Sequence, residues 1–216
     1  MWLFDPASVQ GQTLRGDWEF FLSAAAIVAV VMFGLILLPL VLWRRKGESL
    51  PPQFSKNRAM SAVYILVPCA IVAALFYVTF VSERSVDAVA PKPDVAVDVT
   101  GFRWSWRFDY PSAGVSIVGT PQAPPTLVLP VGKTIQINLT SSDVIHGFWI
   151  PPFLFKRDAI PGMTNHFDLT PTKIGVFRGV CSQFCGLDHA LMTFRVAVVS
   201  QAEYRRWIAG RGTSSP

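Results

Sequence analysis

The sequence has little charge. Asp, Glu, Lys and Arg make up only 15% of its 216 residues, against 51% hydrophobic residues, whereas a typical soluble domain is about 25% charged. Charge is absent altogether from two runs of 24 residues, 20–43 and 59–82. A helix of that length rises about 36 Å, enough to cross a hydrocarbon core of about 30 Å. We therefore predict two transmembrane helices, over 20–43 and 59–82.

A positively charged start is missing as well. Residues 1–19 carry Asp5, Arg15, Asp17 and Glu19, which is not the basic n-region of a secretory signal peptide. The run that follows is too long for the apolar region of such a peptide, and no clear small-residue cleavage site comes after it. We expect residues 1–19 to stay as an external N-terminal segment ahead of the first helix.

The link between the two runs, residues 44–58, is rich in basic residues. Glu48 is its single acid, against five bases: Arg44, Arg45, Lys46, Lys56 and Arg58. Short basic loops stay in the cytoplasm, so both termini are predicted on the outer, periplasmic side of a cell membrane. No Asp or Glu occurs between Glu48 and Glu83, so any proton uptake through this part of the chain must use another group.

Residues 83–95 form a polar, proline-bearing linker. The sequence pattern of residues 96–216, after it, is that of an all-β domain. Short runs rich in Val, Ile, Phe and Thr alternate between Pro and Gly, among them "VAVDVTGFRWSWRFDY", "TIQINLT" and "MTFRVAVV". Such spacing is typical of a sandwich or barrel. A short terminal helix is predicted in "SQAEYRRWIAG", where Ser200 is the cap and Glu203 follows three residues later.

The outer part of the chain lacks a concentration of basic charge. Residues 83–216 contain 13 basic and 10 acidic residues, scattered along the sequence. No ladder of aromatic and basic residues accompanies them, so a nucleic-acid partner is not expected.

Soft metal-binding atoms are concentrated in "CSQFCGLDHALM", residues 181–192, which holds two of the three cysteines and one of the three histidines. A Cys181–Cys185 disulfide is conceivable outside the cytoplasm, but it closes a very short, easily strained loop and stabilises little. Thiolate, imidazole and thioether together suit copper, whereas hard cations prefer carboxylates. We interpret the stretch as a metal site.

Two thiolates on one loop allow a pair of bridged copper ions, and a pair requires a second histidine from elsewhere in the chain. His146 follows a predicted strand and precedes a Pro-Pro break, as the distant histidine ligand of a cupredoxin does. His166 lies in "GMTNHFDL" and is more typical of a surface or partly buried strand residue. We therefore favour His146 over His166.

The chain resembles subunit II of heme–copper oxidases of the cytochrome c oxidase type. The resemblance extends over the helical hairpin, "TGFRWSWRFDYP", "LPVGKTIQINLTSSDVIHGFWIPPFLFKRDAIPGMTN" and "GVCSQFCGLDHALM". It implies an all-β cupredoxin-like domain preceded by a two-helix transmembrane hairpin. It also implies a binuclear copper centre, CuA, which takes electrons from a cytochrome c-type donor. The electrons pass to heme in subunit I, where oxygen is reduced to water.

The resemblance also implies roles for individual residues. Trp104 matches the aromatic residue through which electrons enter, while Trp106, two residues on and expected on the same side of a strand, is interpreted as core. The implied copper ligands are His146, Cys181, the backbone carbonyl of Gln183, Cys185, His189 and Met192.

Two departures from the family pattern change the expected cofactors and partners. Gln183 stands where Glu is usual, and because an amide is a poorer ligand for a hard cation we do not predict magnesium at the interface with subunit I. Asp109 and Asp158 match acids that receive a basic cytochrome c, but basic residues flank both. We therefore expect a donor that is not strongly basic, such as a membrane-attached cytochrome c domain.

Alternative functions follow from the same residues. A quinol-oxidising relative is excluded because the full set of copper ligands is present. A CuA subunit of a nitric oxide reductase carries the same electron-entry domain, so the sequence of this chain is compatible with either oxygen or nitric oxide as the acceptor. A membrane-anchored copper-delivery protein can use paired cysteines and a distant histidine, but an α/β fold with a single anchor is expected for it.

Overall fold

The computed structural model describes residues 5–44, 47 and 57–212, which fall into two compact units. One unit, residues 16–83, consists of the greater part of two helices, α1 (Val9–Leu42) and α2 (Arg58–Val86). The other unit is a β domain that also includes the chain before residue 16. Most of the basic link lies outside the described residues, so its predicted cytoplasmic placement stays a prediction.

Both helices are long and apolar enough to cross a membrane. Helix α1 begins at Val9, well before the predicted span, because the Ser8 hydroxyl caps it by accepting a hydrogen bond from the Gly11 N–H at 2.9 Å. Not far from this start, the Ser82 hydroxyl near the end of α2 donates to the Asp17 carboxylate on α1 at 2.7 Å. The two helices therefore run antiparallel.

The β domain is a sandwich of two five-stranded sheets, so the prediction of an all-β domain after two helices is confirmed. The first sheet has the order β3-β2-β1-β5-β8 and the second β4-β10-β9-β6-β7. The strands are β1 (Val95–Phe102), β2 (Ser105–Tyr110), β3 (Val115–Val118), β4 (Thr126–Pro130), β5 (Ile135–Ser141), β6 (His146–Ile150), β7 (Phe155–Ala159), β8 (Asn165–Leu169), β9 (Gly175–Cys181) and β10 (Thr193–Val199).

The run "VAVDVTGFRWSWRFDY" forms a hairpin of two strands. Phe102 pairs with Ser105, which leaves Arg103 and Trp104 as a two-residue turn between β1 and β2. The expectation that Trp104 and Trp106 share one side of a strand is therefore wrong, because only Trp106 lies in a strand. Trp106 is fully buried, and Trp104 is left at the rim of the sheet.

Alternating buried positions on the facing strands build one core between the sheets. Its centre is aromatic: the Trp106 ring meets the Phe148 ring edge-on at 5.5 Å, and Phe148 stacks on Phe194 at 4.8 Å. Each fully buried side chain of this size contributes roughly 1.5–3 kcal/mol to stability. This packing fixes the inner end of β6, whose first residue is His146.

Hydrogen bonds hold the segment just before α1 and the start of the terminal helix. Ahead of α1, the Ala7 N–H donates to Pro152 O at 2.8 Å and the Ser8 hydroxyl to Phe153 O at 2.9 Å, so the start of the chain belongs to the β domain. At the other end, α3 (Gln201–Gly212) has the expected capping box. The Ser200 hydroxyl accepts from the Glu203 N–H at 3.2 Å, and the Glu203 carboxylate accepts from the Ser200 N–H at 2.9 Å.

The Tyr110 hydroxyl completes the edge of the second sheet. It accepts from the Val128 N–H at 2.8 Å and donates to the Val128 carbonyl at 3.0 Å, and Val128 lies on the edge strand β4. Burial is the main reason that the pKa of Tyr110 is raised well above its ordinary value. We expect Tyr110→Phe to lower the free energy of unfolding of the β domain by about 1–3 kcal/mol, because two buried backbone groups lose their partner.

Chemical denaturation of the purified chain measures this loss. Tyr204→Phe is the matched control: Tyr204 is half-buried on α3, and its hydroxyl makes no hydrogen bond to the residues that the structure describes. Equal stability losses in the two variants would contradict the role given to Tyr110.

Candidate metal centre

The loop between β9 and β10 brings the cysteines together. The two ends of the loop are joined by a backbone hydrogen bond, in which the Cys181 N–H donates to Met192 O at 2.9 Å. Between these ends the chain turns back through a short 3-10 helix, His189–Leu191. Both cysteines are free thiols and both are buried. Residues far apart along the loop thus lie side by side, with their sulfur atoms turned into the end of the sandwich.

Strand β6 brings the distant histidine to this loop. The Ser182 N–H donates to Gly147 O at 3.0 Å, and the Gly147 N–H points at the Cys181 sulfur at 3.5 Å. A side chain at Gly147 would place its Cβ 2.9 Å from the Gln183 nitrogen, so only glycine allows so close an approach. The predicted strand-end histidine, His146, therefore stands beside the two cysteines.

His146 is fully buried and held in a defined orientation. Its Nε2 lies 2.8 Å from the Asp143 carboxylate, and its Nδ1 faces the Cys181 sulfur at 3.9 Å. A carboxylate at Nε2 favours the tautomer that carries the proton there, which leaves the Nδ1 lone pair for a metal. Asp143 is itself fixed by the N–H groups of Arg103 and Val144 at 2.8 and 2.6 Å.

The donor atoms form two groups that meet at the sulfurs, which are 3.9 Å apart. The first group contains the Cys181 sulfur, the Nδ1 of His146 and the carbonyl oxygen of Gln183, 3.2 Å from that sulfur. The second contains the Cys185 sulfur with the His189 Nδ1 at 3.5 Å and the Met192 sulfur at 3.7 Å. All six residues named as ligands from the sequence are therefore assembled in one place.

The two thiols differ in acidity. Burial raises the pKa of Cys181, but the contact with the His146 imidazole and the hydrogen bond from the Gly147 N–H outweigh it and lower the pKa to about 7. Burial raises the pKa of Cys185 to about 12, and the negative charge of the neighbouring Cys181 thiolate adds to the effect. The second ionisation is opposed by the first because two thiolates this close repel each other.

Asp143 remains charged in this setting. Burial alone would raise its pKa, but hydrogen bonds from His146 and from the two backbone N–H groups outweigh that effect and lower the pKa to about 2. The pKa of His146 is moved in the opposite direction: burial lowers it, but Cys181 and Asp143 together raise it.

The chemistry of these atoms fits a soft metal. The ligand atoms of His146, Cys181 and Cys185 all lie within 4.8 Å of one another. A metal cation removes the repulsion between the two thiolates, and the thiolate, imidazole and thioether set matches copper better than a hard cation. The site is also closed to bulk water on the inner side, because Met192 is fully buried.

Trp104 lies directly against the loop. Its indole Nε1–H donates to Cys185 O at 3.3 Å, and the backbone of Gly186 passes close to the ring, with a φ of 124° that favours glycine. A Cβ at Gly186 would come 3.1 Å from the indole nitrogen. The half-buried indole thus spans the distance between solvent and a cysteine of the site.

Gln183 has two separate contacts. Its backbone oxygen faces Cys181, and its side-chain amide donates to the Asp158 carboxylate at 2.9 Å. An uncharged amide thus occupies the position beside Asp158.

Sequence reasoning separated the two candidate histidines but missed a supporting residue. His166 lies exposed on β8, where its Nδ1 is 2.7 Å from the Asn138 side chain, on the outer face of the first sheet. Asp143, which connects the Trp104-bearing turn to His146, was not singled out. The sequence feature that could have identified Asp143 is its position three residues before the candidate ligand His146. At that spacing a carboxylate can reach the histidine ring nitrogen that does not face the metal site.

Comparison with known families gives one consistent result. Residues 121–199 match the family described as cytochrome C oxidase subunit II, periplasmic domain. A probable cytochrome c oxidase subunit 2 of Streptomyces avermitilis is 37% identical over 241 residues, covering 93% of this chain and 76% of the relative. Cytochrome c oxidase subunit 2 of Mycobacterium bovis is 31% identical over 257 residues, covering 91% of this chain and 71% of the relative.

Solved structures agree with the sequence relatives. The periplasmic domain of subunit II of cytochrome oxidase of Bradyrhizobium japonicum is 34% identical, covers 58% of this chain and 98% of that domain, and superposes with a TM-score of 0.53. A mixed disulfide between a thioredoxin-like protein and a subunit II domain of cytochrome c oxidase contains a second match. It is 35% identical, covers 57% of this chain and 95% of that one, and has a TM-score of 0.51.

Proposed function

Since the chain belongs to the family of cytochrome c oxidase subunit II, we propose that its β domain is the point at which electrons enter the oxidase. Members of this family are parts of a heme–copper oxidase, an oxidoreductase complex, and assemble with its other subunits. The observation that carries the proposal is the convergence of six donor residues on two sulfurs 3.9 Å apart. The donor is a cytochrome c-type protein, and the electrons pass to heme in subunit I.

The family binds copper, and two copper ions fit the two groups of donor atoms. His146, Cys181, the Gln183 carbonyl, Cys185, His189 and Met192 would hold the two ions. A copper pair bound there would supply a one-electron carrier in which little geometry has to change when the charge changes. The protein residues hold the imidazoles in place, exclude water from the inner side and keep the two sulfurs adjacent.

The Asp143 carboxylate and the Trp104 indole have distinct tasks in this proposal. Asp143 holds the proton of His146 at Nε2 and so keeps Nδ1 directed at the sulfurs. Trp104 provides the outermost group of the site, in contact with the Cys185 carbonyl at 3.3 Å, and is where we propose that the electron arrives.

Oxygen is the proposed acceptor. The alternative, a nitric oxide reductase, has the same electron-entry domain, but the relatives and solved structures found for this chain are oxidase subunits. The chain carries no part of the oxygen chemistry itself, which we assign to subunit I. A copper-delivery role is less well supported, because the thiols sit on a β sandwich after two apolar helices.

Magnesium is not part of the proposal. The Gln183 amide donates to Asp158, so the pair offers one carboxylate where the family pattern offers two. A hard cation prefers several oxygen ligands with negative charge.

For the membrane arrangement, two apolar helices fit a membrane-anchored subunit with a periplasmic domain. We propose that both termini lie on the periplasmic side and the link 44–58 in the cytoplasm. The hydrogen bonds from the Ala7 N–H and the Ser8 hydroxyl to the β domain support a common side for the start of the chain and this domain.

The donor is expected to bind through apolar contact. Phe184 and Leu187 on the loop are 84% and 90% exposed, while the nearby acids are engaged: Asp143 with Arg103, and Asp109 with Arg107 at 2.9 Å. Paired carboxylates leave little negative potential to attract a basic protein.

We therefore predict that electron transfer from a strongly basic cytochrome c is slow at low ionic strength and does not slow further as salt is added. A neutral or acidic c-type cytochrome is expected to react faster under the same low-salt conditions. Stopped-flow mixing of the reduced donor with the oxidase over a salt series measures both. A fast reaction with the basic cytochrome that salt suppresses would contradict the prediction, because attraction between opposite charges is what salt screens.

The experiment that tests the proposed function uses the full chain in detergent, loaded with copper under reducing conditions. Copper content per chain and the electron paramagnetic resonance spectrum are recorded on the same sample. Two coppers per chain and a hyperfine pattern from one electron shared by two copper nuclei are expected. One copper per chain with the hyperfine pattern of a single nucleus would indicate a mononuclear electron carrier. A Cys181–Cys185 disulfide without copper would indicate thiol-based copper delivery.

A further inference from the structure

Away from the metal centre, two arginines stand directly opposite each other. Arg178 on β9 pairs in register with Arg195 on β10, and both side chains point outward and are exposed. Directly opposed residues in an antiparallel pair have Cβ atoms about 4.5–5.5 Å apart, and like charges in such positions destabilise a sheet. The sequence separation of the two residues hides this concentration of charge, which arises only from the pairing of the strands.

Neither guanidinium is neutralised within the described part of the chain. Three other arginines of the domain have carboxylate partners: Arg103 with Asp143, Arg107 with Asp109, and Arg157 with Asp87. Arg178 and Arg195 have no ion pair with any residue that the structure describes. Two adjacent forks of N–H donors are therefore available to an outside carboxylate, which arginine binds in a bidentate manner.

The pair lines an open groove of about 330 Å³ on the outer face of the second sheet. Thr193, Phe177 and Pro124 contribute to its walls, so the groove combines charge, a hydroxyl and apolar surface. It is large enough for one or two side chains. No acidic residue is among those that line it.

Apolar side chains border the arginines. Val176 is 71% exposed and Ile174 62% exposed, and Val176 lies two residues before Arg178 on the same face of β9. In the next row of the sheet, Val180 stands beside Trp149, which pairs with Lys156. A free inorganic anion gains nothing from exposed valine and isoleucine, whereas protein interfaces are enriched in arginine and aromatic residues and surround them with apolar contacts.

We propose that this face, which we call the Arg178–Arg195 groove, docks an acidic segment of a partner protein. A Glu or Asp side chain of the segment enters between the two guanidiniums, and its neighbouring apolar side chains cover Val176 and Ile174. Binding also relieves the repulsion between the two arginines. The groove is built by β9, β10 and Pro124, so its occupant and the electron donor at Trp104 contact different residues.

The test measures binding of a fluorescein-labelled decapeptide of alternating Glu and Val to the full chain in neutral detergent. Three proteins are compared: the unmodified chain, Arg178→Gln/Arg195→Gln, and the control Arg205→Gln/Arg206→Gln on the exposed side of α3. Both double variants lose the same charge. We expect the first to weaken binding by about tenfold or more and the second by less than about twofold, since bidentate carboxylate contacts are lost only in the first.

The groove variant Arg178→Gln/Arg195→Gln is expected to fold, because replacing two directly opposed like charges by neutral side chains removes a repulsion from the sheet. Equal weakening in the two double variants would overturn the proposal, since net charge alone would then explain the binding. Displacement of the peptide by an equal concentration of inorganic phosphate would also overturn it, in favour of a small-anion site. A third outcome would overturn it as well: Arg178→Gln/Arg195→Gln still binds the peptide but no longer binds phosphatidylglycerol vesicles. The two arginines would then bind an anionic lipid surface.

Discussion

Cys185→Ser is expected to abolish the two-copper centre and to lower donor-driven oxygen consumption by about 100-fold or more, because even changes outside the ligand shell of metal sites cost 10- to 100-fold. Cys185 is the sulfur to which the second group of donors is attached: the His189 Nδ1 lies 3.5 Å from it and the Met192 sulfur 3.7 Å. Serine is close to cysteine in size, but its hydroxyl does not ionise at neutral pH and is a hard ligand.

The loop itself is expected to survive this change. The ends of the loop are joined by a hydrogen bond between backbone atoms of Cys181 and Met192. The Trp104 indole donates a hydrogen bond to the backbone carbonyl of residue 185, which serine retains. The loss should therefore appear as lost copper and lost electron entry at nearly unchanged stability. Metal analysis, electron paramagnetic resonance and oxygen uptake by the assembled oxidase with a reduced c-type cytochrome measure the three quantities.

Cys69→Ser is the matched control. Cys69 is an exposed free thiol on α2, within the apolar helical unit. Copper content and oxygen uptake are expected to remain those of the unmodified protein. If Cys185→Ser kept two coppers and full activity, the shared-thiolate arrangement would be wrong, and one group of donors alone would have to hold the metal.

Asp143→Ala is expected to weaken copper binding by about 10- to 100-fold, the range found when the partner of a metal-bound histidine is removed. The imidazole of His146 loses the acceptor at its Nε2, so neither the tautomer nor the ring orientation is held. The N–H groups of Arg103 and Val144 lose their acceptor at the same time, which loosens the turn that carries Trp104.

Two further variants separate positioning from general stability. Asp143→Asn retains an oxygen that can accept from Nε2–H and is expected to recover part of the affinity. Asp109→Ala removes an acid of the same domain that pairs with Arg107 and Ser116 rather than with a ligand, and is expected to leave copper binding unchanged.

Copper affinity is measured by competition with a chelator, and the hyperfine splitting reports the electron distribution between the two ions. A positioning role predicts that Asp143→Ala changes both, because the bond from His146 is altered. The His146 ring also meets the Trp106 ring edge-on, with 6.0 Å between the ring centroids. Unchanged affinity and splitting in Asp143→Ala would show that this packing orients the histidine without Asp143.

The elements and ligands that sequence reasoning predicted are those with local signals. Two uncharged runs of membrane-spanning length lie in α1, except for Trp43, and in α2, and Ser200 with Glu203 forms the expected cap of α3. The loop 181–192 contains so many sulfur and imidazole donors that the sequence alone predicts a metal site there. Even the distant histidine could be chosen, because a histidine between one predicted strand and the Pro-Pro break at Pro151 has the setting of a cupredoxin ligand, which His166 in "GMTNHFDL" lacks.

Features that depend on pairing between distant segments were not accessible. The hairpin at Arg103 and Trp104 was missed because two-residue turns are usually marked by glycine, asparagine or aspartate, and this turn contains none of them. The start of α1 at Val9 was missed because its cap, Ser8, is also bound to Phe153 of the β domain. The spacing of apolar residues along the chain does not predict such a long-range contact.

The sequence by itself determined the two long apolar helices, the β class of the domain that follows them and the residue types of the proposed ligands, because each depends on composition or short-range spacing. Only the tertiary structure decided which atoms of those ligands face each other, that Asp143 directs His146, and that Arg178 meets Arg195 without a counter-charge. These arrangements depend on strand register and sheet order, and register is fixed by the packing of the whole sandwich rather than by neighbouring residues.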